Sequence, residues 1–325
     1  MIGHLANQGE STMLANADTV LATHGRSFYW ARHLLGARHA SRATRLYRFC
    51  RYVDDLADET ASPELAMLAL DALSTAIAQQ HPIDPLVADG LALLQECGIE
   101  PSIMLELIRG VRSDLTEVRY ADESSLLRYC YRVAGTVGIM MCRVLDVDDD
   151  AALRHAIDLG IGMQLTNICR DVAADAALGR RYLPASLVGD CALSALAQPD
   201  AVLRPVVTNA VGVLLTTAEG YYRSGENGLH YLPSGARAGI LVAARLYRAI
   251  GRQLGRSGCD YWTRRTVVSA PAKLGLTVHA LLDLAIGRGI ARSGQIGTRQ
   301  HDALLHLPLA GLPFTVFCGQ PDHDG

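Results

Sequence analysis

The chain has 325 residues, which is long enough to bury a substantial core, and its formal net charge is −3 with an isoelectric point near 6.4. A slightly acidic chain gives no reason to expect nucleic acid as a partner. Eight cysteines without C-x-x-C spacing favour free thiols in a reducing cytoplasm over a zinc site or a disulfide framework. The N-terminus lacks the pattern of a signal peptide, and no segment reaches about 18 uninterrupted apolar residues, so we expect no transmembrane helix.

Helical patterns follow one another along the chain, and no stretch keeps the period of two that is typical of a strand. Pro63, Pro85 and Pro101 each stand where a helix would begin, the position that best tolerates proline. We expect helices at about 18–35, 40–59, 63–80, 85–97, 101–116, 123–146, 149–177, 200–225, 234–257 and 270–290. No repeat or long linker divides them. The sequence predicts one all-α domain at residues 18–290, with an N-terminal extension at 1–17 and a C-terminal tail at 291–325.

Two predicted helices carry carboxylates one turn apart. Asp54 and Asp58 lie on the second helix, among apolar positions. The helix at 149–177 carries a polar ridge at steps of three and four residues, formed by Gln164, Asn167, Asp171 and Asp175. Carboxylates one turn apart repel by roughly 0.2–0.5 kcal/mol even on an exposed helix, so a cation is expected between them. Oxygen ligands without His or Cys suit a hard divalent ion, although a solvated helix face is the alternative.

Arg51 and Arg170 each precede an acidic pair. They either help to neutralise a diphosphate or form salt bridges with the neighbouring carboxylates.

Glycines interrupt two of the predicted helices. Gly135 and Gly138 lie inside the helix at 123–146, and Gly160 and Gly162 lie inside the next one, where each costs about 1 kcal/mol relative to alanine. Such a cost implies a need for space. Either a ligand or a closely packed helix occupies that space, and the spacing alone does not decide between them.

Four sequence blocks together resemble the squalene/phytoene synthase family of head-to-head prenyltransferases. They are HGRSFYWA at His24–Ala31, CRYVDDLAD at Cys50–Asp58, YCYRVAGTVG at Tyr129–Gly138 and QLTNICRDVAADAALGRRYLP at Gln164–Pro184. Their order and spacing are those of the family, and the C-terminal third resembles its bacterial phytoene-forming members. The resemblance implies an all-α, single-domain isoprenoid synthase fold with a central cavity lined by helices.

The resemblance also implies roles for individual residues. The expected catalytic residues are Asp54, Asp58, Tyr129, Asp171 and Asp175. Mg²⁺ or Mn²⁺ is expected at Asp54, Asp58, Asn167, Asp171 and Asp175. Contacts to the substrate are expected from His24, Arg26, Ser27, Phe28, Arg51, Val133, Gly138, Gln164, Asn167, Arg170, Arg180, Tyr182, Tyr247 and Arg265, with Arg264 as the alternative to Arg265. One position departs from the family pattern, because Ala174 stands where a glutamate often precedes the last aspartate.

The implied reaction joins two molecules of geranylgeranyl diphosphate to give phytoene through prephytoene diphosphate, without NADPH. This is the first committed step of carotenoid biosynthesis. One alternative is a C30 squalene or dehydrosqualene synthase that uses farnesyl diphosphate, in which squalene formation would need a reduced nicotinamide. The other is an inactive relative that acts as an assembly factor, although such a relative should have lost some of the four spaced aspartates.

The expected location is the cytoplasm. The apolar tail LLHLPLAGLPFTVFCG either packs on the protein or contacts the inner face of the membrane.

Overall fold

The computed structural model describes residues 30–31, 33–286 and 304, and these residues form helices and no strand. The α-helices are α1 (Ala37–Asp58), α2 (Pro63–Ala78), α3 (Pro85–Glu96), α4 (Pro101–Ser113), α5 (Glu123–Cys130), α6 (Thr136–Val144), α7 (Ala151–Ala177), α8 (Ala185–Val188), α9 (Leu193–Ala197), α10 (Leu203–Asn227), α11 (Ser234–Arg256) and α12 (Ala270–Ala285). A π-helical turn, Tyr131–Gly135, joins α5 to α6, and a 3₁₀ turn, Gly228–Tyr231, follows α10. The prediction of an all-α fold is confirmed.

Local sequence explains where several helices begin. Pro63, Pro85 and Pro101 are the first residues of α2, α3 and α4, as predicted, because the first turn of a helix has amide groups without intrahelical partners. Ser62 and Asp84 cap α2 and α3 by accepting hydrogen bonds from the amides three residues on, at 3.3 and 2.8 Å.

The structure differs from the predicted helices in two respects. The helix predicted at 123–146 contains the π turn, because residues 131–135 adopt wider backbone hydrogen bonding that no propensity rule signals. The short helices α8 and α9 were not predicted. The helix predicted at 18–35 lies almost wholly outside the described residues, so it stays a prediction. The same holds for the division at residues 17 and 290.

Helix α7 lies at the centre of the fold. It packs against α10, α6, the π turn, α11 and α9. Most of its faces are apolar and buried, as expected for a helix that is surrounded by others. The helix ends at Ala177, and Gly179 adopts a positive φ of 81°, a backbone conformation that favours glycine and is common just past the end of a helix.

The cysteines and the possibility of membrane-spanning helices can be examined within the described residues. The cysteines within the described residues are free thiols, and Cys130, Cys142 and Cys169 are buried. No helix in the described part of the chain combines the length and the apolar character that a membrane crossing requires.

Candidate active site

The two acidic pairs converge. Asp58 near the end of α1 accepts a hydrogen bond at 2.8 Å from Arg180, which lies in the loop after α7. Asp114, at the end of α4, interacts electrostatically with Asp54 on α1 and with Asp175 on α7. The two ridges therefore face a common region.

Burial sets the charge state of two of these carboxylates. Burial raises the pKa of Asp54 to about 7, and the negative charge of Asp58 adds to this effect while Arg51 opposes it. Burial also raises the pKa of Asp175 to about 7, with a further contribution from the neighbouring Asp171. Near neutral pH the ionised forms of both side chains are therefore costly. A nearby cation would stabilise them.

Arginines bind the other two carboxylates. Arg180 binds Asp58, and Arg265 binds Asp171 with two hydrogen bonds of 2.7 and 3.0 Å. Arg170 also donates to Asp171, at 2.9 Å through its Nε atom. Burial alone would raise the pKa of Asp171, but the hydrogen bonds from Arg170 and Arg265 outweigh it and hold that pKa below its ordinary value.

Each acidic pair thus combines one carboxylate that an arginine binds with one that has no ion pair to any described residue. Arg265 is the arginine that reaches Asp171, and which of Arg264 and Arg265 contacts the substrate stays a prediction. Arg51 forms a salt bridge at 2.6 Å with Asp55, which is not a member of the acidic pair. Its contact to the substrate stays a prediction.

The sequence reasoning missed Asp114. The hydroxyls of Tyr129 and Tyr182 donate hydrogen bonds to its two carboxylate oxygens at 2.8 and 2.9 Å, and these hydroxyls lie 3.2 Å apart. Burial raises the pKa of Asp114 to about 6, although both hydrogen bonds oppose the shift. One feature of the sequence marks Asp114. A carboxylate at the C-terminal end of a helix is destabilised by the helix dipole, so an aspartate at that position indicates a role other than stabilising the helix.

A cavity of about 300 Å³ opens next to these groups. Eight residues of α7 line it along a single stripe, at alternating steps of three and one: Ala152, His155, Ala156, Leu159, Gly160, Met163, Gln164 and Asn167. Helices α1, α6 and α11, the π turn and the 3₁₀ turn supply most of the remaining wall, and α4 and α10 contribute one residue each. The predicted residues Asp54, Val133, Gly138 and Tyr247 all line the cavity. The stripe continues beyond Asn167 to Asp171 and Asp175, so one face of α7 passes from a carboxylate end to an apolar end.

A second buried polar cluster lies beside the apolar end of the cavity. The Nδ1–H of His155 donates to the carbonyl oxygen of Ser224 at 2.7 Å, and the Ser224 hydroxyl donates to the fully buried Asp158. Burial lowers the pKa of His155, so its ring is neutral near pH 7. These contacts fix the His155 ring at the cavity wall.

The glycines allow two helices to cross closely. A Cβ atom on Gly138 would lie 2.2 Å from the carbonyl oxygen of Ala156, and one on Gly160 would lie 2.3 Å from that of Ala134. Backbone therefore occupies the space that these side chains lack. The close-packing explanation therefore holds for these two glycines. Gly138 also lines the cavity, and its contact to a substrate stays a prediction.

The oxygen groups at the polar end fit a hard divalent cation. The Oδ1 atom of Asn167 is buried without a hydrogen-bond partner, and its Nδ2 group donates to Gln164 at a long 3.4 Å. Among the described residues, no three His, Cys, Asp or Glu side chains are close enough to enclose an ion by themselves. This spacing is compatible with Mg²⁺, which commonly binds through one or two carboxylates, waters and substrate phosphates.

Four of the predicted substrate-binding residues, namely His24, Arg26, Ser27 and Phe28, lie outside the described residues. Their roles stay predictions.

Comparisons with known proteins agree with this geometry. A family model described as squalene/phytoene synthase matches residues 21–272. A 15-cis-phytoene synthase from Enterobacter agglomerans is 35% identical over 262 residues, which cover 77% of this chain and 88% of the relative. A phytoene synthase from Thermus thermophilus is 36% identical over 255 residues, covering 77% and 86%.

Solved structures give the fold. A dehydrosqualene synthase crystallised with a ligand superposes with a TM-score of 0.74 at 24% identity, covering 86% of this chain and 99% of the other. A squalene synthase from Alicyclobacillus acidocaldarius superposes with a TM-score of 0.65 at 21% identity, covering 76% and 96%. The architecture is therefore the all-α isoprenoid synthase fold.

Proposed function

The chain belongs to the squalene/phytoene synthase family, and from this premise we propose that it condenses two molecules of geranylgeranyl diphosphate head to head into phytoene. It is a prenyltransferase that uses prenyl diphosphates, like the phytoene synthases it resembles. The observation that carries the choice of a C20 substrate is the length of the α7 stripe.

The stripe runs fifteen residue steps from Asn167 to Ala152, or about 22 Å at 1.5 Å per step. A geranylgeranyl tail, extended at about 1.25 Å per carbon–carbon bond, spans about 19 Å, and a farnesyl tail spans about 14 Å. With its diphosphate at Asn167, a C20 tail ends near His155, whereas a C15 tail ends near Asp158. The cavity wall thus continues over the length that only the longer tail fills.

The polar end would hold the diphosphates. Asp54, Asp58, Asn167, Asp171 and Asp175 are the residues that would hold Mg²⁺ or Mn²⁺. When bound, such ions supply positive charge that stabilises a leaving diphosphate.

Arg180 and Arg265 lie at the carboxylates of this end, and their planar guanidinium groups can turn to a phosphate oxygen with two hydrogen bonds. These two side chains would orient the diphosphate and add to the charge that draws it away.

The apolar walls serve the chemistry that follows. Loss of the first diphosphate leaves an allylic cation, and the double bond of the second molecule attacks it. Proton loss then closes the cyclopropane ring of prephytoene diphosphate. Departure of the second diphosphate, ring rearrangement and loss of another proton give phytoene. Water would capture either cation, so the mostly apolar lining excludes a competing reaction.

Asp114 has a positioning role in this proposal. Its carboxylate fixes the hydroxyls of Tyr129 and Tyr182 between the two acidic pairs, next to where the reacting carbons leave their diphosphates.

We also propose that the protein acts in the cytoplasm and contacts the inner face of the membrane, because a C40 hydrocarbon product partitions into lipid.

The test is to incubate purified protein with Mg²⁺ and either geranylgeranyl or farnesyl diphosphate, with and without NADPH, and to identify the hydrocarbons by mass. We expect a C40 product without NADPH. A C30 product would refute the choice of substrate while keeping the active site. No product from folded protein would favour the inactive relative. The Asp54→Asn, Asp171→Asn double variant should abolish turnover while helicity, measured by circular dichroism, is unchanged.

A further inference from the structure

The outer face of α12 is apolar and exposed. Five large aliphatic residues fall within an arc of about 140° around this helix and its C-cap, at 100° per residue: Leu274, Val278, Leu281, Leu282 and Ile286. Their exposed fractions run from 38% to 59%. The opposite side, with Thr277 and Ala280 buried, packs on α11. A contiguous apolar face of this kind marks an interaction surface.

A tryptophan lies beside this face. The indole Nε1–H of Trp30 donates to the hydroxyl of Thr277 at 2.9 Å, and Trp30 is 37% exposed. Thr277 lies one turn from Leu274 and from Leu281, so the indole stands at the edge of the aliphatic arc. Tryptophan with one wet edge next to aliphatic side chains is typical of surfaces at a lipid–water boundary.

The segment at residues 261–282, which includes most of α12, has a net positive charge, opposite in sign to that of the whole chain. Between Asp260 and Asp283 the sequence has Arg264, Arg265 and Lys273 and no carboxylate, whereas the whole chain has a formal charge of −3. The segment that follows, residues 287–301, adds three arginines and no acid. Of these residues Lys273 lies in the first turn of α12 itself, whereas Arg265 is bound to Asp171. Basic residues that flank an apolar helical face in sequence favour a surface that carries negative charge.

We propose that the α12 face, defined as Trp30, Leu274, Val278, Leu281, Leu282 and Ile286, docks the protein on a bilayer with anionic headgroups. A second copy is a poorer occupant, because a two-fold contact through this face would bring the same basic segment of both copies together. Helix α11, on which α12 packs, contributes Ile240, Ala243 and Tyr247 to the cavity wall, so the docked face lies one helix away from the cavity. The inference rests on the proposed membrane contact but not on turnover.

Vesicle sedimentation of the full chain tests this docking. Wild-type protein should bind vesicles of phosphatidylcholine with about 30% phosphatidylglycerol, and should bind more weakly at high salt or without the anionic lipid. The Val278→Glu, Leu282→Glu double variant should lose at least about ten-fold in partitioning. The matched control is Leu65→Glu, Leu68→Glu on α2, which changes two aliphatic residues that are 52% and 65% exposed and should leave binding within about two-fold of wild type.

Fluorescence gives a second readout. The chain has two tryptophans, so Trp262→Phe leaves Trp30 as the reporter, and its emission should shift to the blue when anionic vesicles are added. Equal binding by the α12 variant and the α2 control would overturn the proposal. So would failure of folded wild-type protein to bind, or equal binding to neutral vesicles. A dimer in light scattering that the α12 variant alone dissociates would assign the face to a second copy instead. Turnover of the same variants in detergent separates these outcomes from failure of the proposed reaction.

Discussion

Replacing Ala156 by Phe should convert a C20 enzyme into one that prefers C15. Ala156 lies eleven residues before Asn167 on α7, so its side chain meets the cavity about 16 Å from the polar end. A farnesyl tail of about 14 Å ends before this point, and a geranylgeranyl tail of about 19 Å passes it. The added ring displaces up to one five-carbon unit from the cavity. At about 0.8 kcal/mol per buried carbon this loss is at most about 4 kcal/mol, or roughly 10²- to 10³-fold in kcat/KM.

The assay is competition between the two diphosphates in one tube, with the C30 and C40 products separated by mass. We expect kcat/KM for geranylgeranyl diphosphate to fall by that factor and the value for farnesyl diphosphate to change by less than about three-fold. Ala151→Phe is the control, because it adds the same ring five residues earlier on α7, at a position that does not line the cavity. Equal losses for both substrates in Ala156→Phe, with a normal unfolding transition, would refute the measurement of length along α7.

Three other outcomes follow from the site. Burial raises the pKa of Asp54 and Asp175 to about 7, so between about pH 4 and 7 the folded protein binds more protons than the unfolded chain. Without divalent cations, the melting temperature should therefore fall as pH rises through that window. Added Mg²⁺ should flatten this dependence, and an equally steep curve in the double Asn variant would contradict the assignment. Gly138→Ala should lower the free energy of unfolding in urea by about 1–3 kcal/mol, because its Cβ would meet the backbone of Ala156. The control Gly212→Ala, whose Cβ meets no atom within 4 Å, should raise that free energy by about 0.5–1 kcal/mol. Equal changes in the two variants would contradict the close contact between Gly138 and Ala156. Arg265→Gln should tighten Mn²⁺ binding to the free protein several-fold, measured by electron paramagnetic resonance, because it removes a positive charge that competes with the metal for Asp171. Weaker binding would show that Arg265 orients the Asp171 carboxylate instead.

Local rules predicted most of the framework. Helices α2, α3 and α4 begin at the predicted prolines because proline and capping act within one turn of chain. The two acidic ridges were predicted for the same reason, since positions three and four apart share a helix face whatever the fold. That the ridges face each other came from the family resemblance, not from spacing.

The remaining features depend on contacts between segments far apart in the chain. The pairing of Arg180 with Asp58 spans 122 residues, and that of Arg265 with Asp171 spans 94, so no pattern in either segment reports it. Asp114 becomes part of the site only because α4 ends beside Tyr129 and Tyr182. The exposure of the outer face of α12 also cannot be predicted from sequence. A run of aliphatic residues on one side of a helix normally indicates burial, and only the structure shows that the other side of α12 packs on the protein.

The π turn, Tyr131–Gly135, behaves as a one-residue insertion that has been kept within a helix. Tyr129 and Gly138 are nine residues apart, and on a regular α-helix they would point in directions about 180° apart. The extra residue turns the second half back by about 100°, so Tyr129 reaches Asp114 while Gly138 lines the cavity. Deleting one residue from this turn would leave these two positions eight residues apart on a regular helix, and so in the same relative direction, whereas forcing all the residues of the turn into regular α-helix would swing one of the two positions away from the site. The register between the two halves of this helix is therefore as much a part of the site geometry as any single side chain.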